Sequence, residues 1–131
     1  MNSITQDLLS IVADFGGKFE GAYNIRQDCQ SVARQSTDNV KIENKTDGKP
    51  GIDIKIAPNT KGENVYIPAC ITKSDVDDLV YNDFYVGENA DVTIIAGCGV
   101  HTDDSEASRH SGVHRFFSSK GAKVLCIEKH F

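Results

Sequence analysis

Apolar and polar positions along this chain follow two different periods, and the switch between them divides it. Ser3 and Gln6 form a capping-box pattern around an apolar stripe of Ile4, Leu8, Leu9, Ile11, Val12 and Phe15, the spacing of one helix face. Gly16-Gly17 stops the stripe, because glycine readily takes the backbone conformation that ends a helix. The pattern predicts a short amphipathic helix within residues 1–20, laid against the body of the domain. Residues 21–50 are polar and turn-rich, and they end in NKTDGKPG, a loop signal. From residue 51 the period drops to two. In GIDIKIAP, Ile52, Ile54 and Ile56 alternate with Asp53 and Lys55, as a strand buried on one side requires. Strand-like runs follow at NVYIPACIT, DFYV, DVTIIAG and KVLCIEKH, with no helical period among them. Residues 51–131 are therefore expected to form a β body, with 21–50 as its lead-in.

An internal repeat says how that body is built. FYVGENADVTII (84–95) aligns without gaps on FFSSKGAKVLCI (116–127), thirty-two positions later. Phe84 meets Phe116, Ala90 meets Ala122, Val92 meets Val124, Ile95 meets Ile127, and Tyr85 meets Phe117. A repeat of this length fits a β-solenoid, whose units bury their apolar sides only by stacking on one another. Two similar hairpins in a sandwich or jelly roll would give the same signal. In the solenoid, the same offset sets Cys98 opposite His130 and Asn82 under His114, about 4.8 Å away.

Composition narrows the partners. The chain has 131 residues, enough for one compact domain, and its net charge of −5 argues against a nucleic-acid or anionic-membrane surface. No apolar run approaches the roughly 20 residues needed to cross a bilayer. The opening MNSITQDLL lacks the basic start of an export signal, so the four cysteines are read as free thiols or ligands in a cytoplasmic protein.

Cys98, His101, His110 and His114 fall within seventeen positions, and Glu128 and His130 close the last strand-like run. Soft thiolate and imidazole donors suit iron or zinc, so these six residues are the candidate metal ligands. Cys98, His101 and His130 are the ones expected to hold a cofactor. Cys98 beside a histidine base would also serve nucleophilic chemistry, although nothing in the sequence supplies an oxyanion hole. There is no GxSxG, GxGxxG or phosphate-binding loop.

The segments GAYNIR…SVAR.ST, KPGIDI, TKGENVYIP, DLVYNDFYVGENADVTIIAGCGVH, H.GVH.F and KVLCIEKHF together resemble the SufB/SufD family of iron–sulfur cluster assembly proteins. The resemblance runs from about residue 20 to Phe131 and is most specific in NDFYVGENADVTIIAGCGVH. It implies a right-handed parallel β-helix, assembly as homo- or heterodimers, and a non-enzymatic role as a scaffold. Clusters are built on such a scaffold and passed to recipient apo-proteins. Members of the family also dock a SufC-type ATPase through helices beyond the EKH block. That docking region has no counterpart here, so the chain reads as an N-terminal portion or a short form. Two other readings stand beside this one. A cupin-like jelly roll would hold one metal with histidines and a glutamate, and its strands would pair antiparallel. A β-solenoid interaction module would hold none.

Overall fold

The structure is a computed structural model and describes residues 21–28, 30–71, 77–100 and 109–130. The predicted helix falls in residues 1–20, outside the described residues. What is described is β throughout: β1 (Ala22–Gln27), β2 (Gln30–Gln35), β3 (Val40–Asn44), β4 (Gly51–Ile56), β5 (Lys61–Ile71), β6 (Asp77–Val86), β7 (Asp91–Val100), β8 (Arg109–Ser118) and β9 (Lys123–His130). They form two mixed sheets, ordered β2-β1-β5-β7-β9 and β3-β4-β6-β8.

From β4 onward the chain alternates between the sheets. Each strand lies parallel to the one two places earlier: β4, β6 and β8 in one sheet, and β5, β7 and β9 in the other. The result is three stacked layers: β4–β5, β6–β7 and β8–β9. The registers agree with the repeat, with Phe84 paired to Phe116, Tyr85 to Phe117, Val92 to Val124 and Ile95 to Ile127. Among the described residues, antiparallel pairing, which a jelly roll would need throughout, is confined to β1 with β2 and β3 with β4.

The corners stack as well as the strands. Asn59, Asn89 and Gly121 occupy equivalent corner positions and all have positive φ, which asparagine and glycine tolerate best. The Asn59 amide donates to the Glu88 carbonyl at 2.9 Å, and the Asn89 amide to the Lys120 carbonyl at 3.0 Å. Layer therefore bonds to layer around the bend. At Gly87 an added Cβ would lie 2.5 Å from the Pro58 nitrogen, so the corner closes only on glycine.

Between the sheets lies one apolar core. Ile52, Ile54, Ile56, Phe84 and Val86 face Val65, Ile67, Val92, Ile94 and Ala96, and Val40 and Ile42 of β3 close one end. At the other end, the described residues leave the stack partly exposed. Phe84 is fully buried, whereas Phe116, stacked on it at 4.8 Å between ring centroids, is 41% exposed.

Residues 21–50, expected as a turn-rich lead-in, contain three strands. Their hydrophobic signal is weak because β1 carries Asn24 and Arg26 among its inward positions. Arg26 Nε and Nη2 donate to the buried Asp78 carboxylate at 2.8 Å, and Asn24 accepts from Arg34 at 2.8 Å. Polar groups satisfied in this way can be buried at little cost. The loop after β3 lies over the outer face of β4 and β6. There Lys45, itself buried, donates to Asp53 at 2.8 Å and to Asp83, while Arg115 grips Asp83 with two bonds of 2.6 Å.

Candidate functional site

The offset that stacks the core also assembles the candidate ligands at the open layer. His114 sits on β8 in register with Asn82 of β6, and Cys98 of β7 is in register with His130 of β9. His110 is likewise in register with Asp78. These pairings are backbone placements; the side chains of Cys98, His110 and His130 lie outside the described set, as does His101 altogether.

The side chains that are described form a bridge between the sheets. Asn82 is 7% exposed, and its Nδ2 lies 3.4 Å from His114 Nδ1. His114 Nε2 lies 3.0 Å from Glu128 Oε1 on β9. The sequence places Glu128 among the candidate ligands, and the structure sets it against His114. With a period of two, β9 directs Val124 and Glu128 to the side that faces β8. The Phe84 ring lies beneath, tilted against His114 with centroids 6.1 Å apart.

Glu128 Oε1 at 3.0 Å from Nε2 requires a proton on that nitrogen, so neutral His114 is the Nε2–H tautomer and Nδ1 is the acceptor. Both ring nitrogens are then engaged. A metal reaching His114 must displace either Asn82 or Glu128. Among the described residues, no three His, Cys, Asp or Glu side chains form a group able to hold a metal ion. A site here therefore depends on Cys98, His130 or His110, whose backbone positions border the bridge.

Cys126, two residues before Glu128, is exposed and free of disulfide. Partial burial, then the Glu128 carboxylate, push its thiol above the ordinary value. A thiol raised in this way is a poor nucleophile at neutral pH.

The residues that sequence reasoning missed are Arg26, Asp78 and Asn24, the polar members of the interior beside this layer. The signal was available: an alternate-position reading of AYNIR puts Asn24 and Arg26 with the buried Ala22, and two polar residues on an inward face demand partners.

In comparisons with family models, curated proteins and solved structures, nothing matches this chain. No helix among the described residues is long and apolar enough to cross a membrane.

Proposed function

We propose that the chain is a scaffold component of SUF-type iron–sulfur cluster assembly, similar to SufB/SufD proteins, and that its layers are coils of a right-handed parallel β-helix. It carries its cargo, an iron–sulfur cluster or iron or zinc alone, on Cys98, His101 and His130, with His110, His114 and Glu128 adjoining. Its role is to hold that cargo in the cytoplasm for recipient apo-proteins, and it works as a self-associated assembly. The observation that carries the reading is the register of Cys98 beside His130, within the layer where His114 meets Glu128. Thiolate and imidazole on neighbouring strands are about one strand spacing apart, close enough to share one metal.

The engagement of both His114 nitrogens favours a second reading, in which the layered body is a metal-free interaction module and the bridge is a structural clasp. Metal analysis of anaerobically purified protein separates the two. The scaffold reading expects iron or zinc near one equivalent per chain, and loss of most of it in Cys98→Ser. Metal-free protein assigns the chain to the second reading, and metal content unchanged in that variant removes Cys98 from the site.

A further inference from the structure

The five-stranded sheet has a second face, turned away from the core. Ala22, Val65, Val92 and Ile94 belong to the core, so alternation turns Tyr23, Ile25, Tyr66 and Ile95 outward. Register brings these four together: Tyr23 pairs with Tyr66, and Tyr66 with Ile95, while Ile25 follows on the same side of β1. They make an apolar patch across β1, β5 and β7. A side chain on the outer face of a sheet meets solvent unless something lies over it. Yet Ile25 and Tyr66 are each 3% exposed, although neither belongs to the core between the sheets.

Every described strand is a member of one of the two sheets, so no described strand is layered over this face. Of the longer stretches outside the described residues, TKSDV (72–76) and HTDDSEAS (101–108) offer only Val76 and Ala107 as apolar side chains. Residues 1–20 offer Ile4, Leu8, Leu9, Ile11, Val12 and Phe15 at the spacing of one helix face. That segment also joins the sheet beside the patch, entering β1 through Gly21, just ahead of Tyr23. Gly21 has a φ of 103°, and an added Cβ would lie 2.8 Å from the Asn64 carbonyl oxygen. The chain therefore enters β1 through a bend that glycine alone fits. A helix over residues 4–15 is about 18 Å long, whereas β1 and β7 lie about 10 Å apart. It reaches across all three strands, with residues 16–20 left as its connection.

We propose that residues 1–20 dock as an amphipathic helix on the outer face of the five-stranded sheet, with the apolar stripe on Tyr23, Ile25, Tyr66 and Ile95. The chain thereby occupies this face itself and closes it to other partners. Leu125 of β9 points to the same side and is 59% exposed, so the cover stops short of the edge strand and leaves it for association. The docking is independent of any bound metal.

NMR of the unaltered full chain tests the contact directly. Nuclear Overhauser effects are expected from the Leu8 and Ile11 methyls to the Tyr66 ring within one chain. Their absence, their appearance on Phe116 or Phe117 instead, or their arising only between differently labelled copies overturns the proposal. Tetranitromethane, which nitrates accessible tyrosine rings, reads the cover chemically when the products are mapped by peptide mass spectrometry. In the unaltered chain Tyr66 should resist the reagent while Tyr85, 39% exposed, reacts. Leu8→Asp with Ile11→Asp puts charge into the stripe and should make Tyr66 as reactive as Tyr85. Ser10→Asp, on the opposite side of the helix, should leave Tyr66 protected. Protection that persists in the stripe variant, or is lost equally in Ser10→Asp, overturns the proposal. If the stripe variant fails to fold, the Overhauser contacts of the unaltered chain still decide.

Discussion

Asp83 shows what one buried charge asks of its surroundings. It lies in register between Asp53 and Arg115 on the outer face of one sheet, so a like charge sits one strand away. The Arg115 fork and the Lys45 ammonium compensate, and they hold its carboxyl below the usual carboxylate range against the opposing effect of burial. Burial also works against the charge on Lys45, but its bonds to Asp53, Asp83 and Asp47 outweigh it and hold the ammonium above the ordinary lysine value. The signs follow. Stability from Asp83 is fully present above the unfolded carboxylate value near 4 and is lost as pH falls through the folded one. Stability from Lys45 is fully present below about 10.4 and is lost only as pH rises beyond that toward the folded value. Asp83→Asn should cost on the order of 3 kcal/mol at neutral pH, because it leaves two cations short of a partner. Urea melts at several pH values between about 3 and 7 should show a shallower acid decline in the variant than in the unaltered chain.

At the scale of elements, the three layers are not equivalent. Phe84→Ala empties the centre of the core and should cost about 3–5 kcal/mol. Phe116→Ala removes its half-exposed partner in the stack and should cost less than about 2 kcal/mol. Chemical denaturation of both variants checks the ratio. Gly87→Ala should cost roughly 1–3 kcal/mol through its clash with the Pro58 backbone, and a thermal midpoint at or above the starting value would show that the corner can yield.

These corners mark how much could be read from the sequence. The pair of layers separated by thirty-two residues was legible, because Phe84, Val92 and Ile95 recur as Phe116, Val124 and Ile127. The layer before them was not. Ile54 pairs with Phe84, thirty positions away, and a bulge at Lys61/Glu63 shortens the offset again. What repeats there is the corner rather than the strand: APNT, GENA and SKGA all precede a strand and share one backbone shape. Glu128, at the end of KVLCIEKH, was legible as part of a charged strand end. Its meeting with His114 was not, because contact across the core depends on how two sheets face each other, which no single strand encodes.

For the molecule as a whole, the asymmetry of its ends matters most. β8 and β9 are edge strands of their sheets, and together they leave Phe116, Phe117, Leu125 and Ile127 exposed, Leu125 by 59%. Unpaired edges flanked by apolar side chains pair readily with other chains. The chain should therefore self-associate through this end. Light scattering at about 50 µM should report a species larger than 14.3 kDa, and Leu125→Lys with Ile127→Lys should shift it toward monomer. A monomer in the unaltered chain at that concentration would reject the expectation.

The antiparallel hairpins at the closed end also carry a consequence in time. β1 with β2 and β3 with β4 join residues close in sequence, so their loop-closure entropy is small. The parallel ladders must bring together residues some thirty positions apart, and more than forty for β1 with β5, which is slower to nucleate. A stack whose units touch only their neighbours propagates from whichever part forms first. Folding should thus begin at the hairpins and add layers one after another, as a zipper closes from its fixed stop. The order has a native-state signature: amides of β8 and β9 should exchange with deuterium fastest and those of β4 and β5 slowest among the layers. Uniform protection across the three layers would mean that they fold as one unit instead.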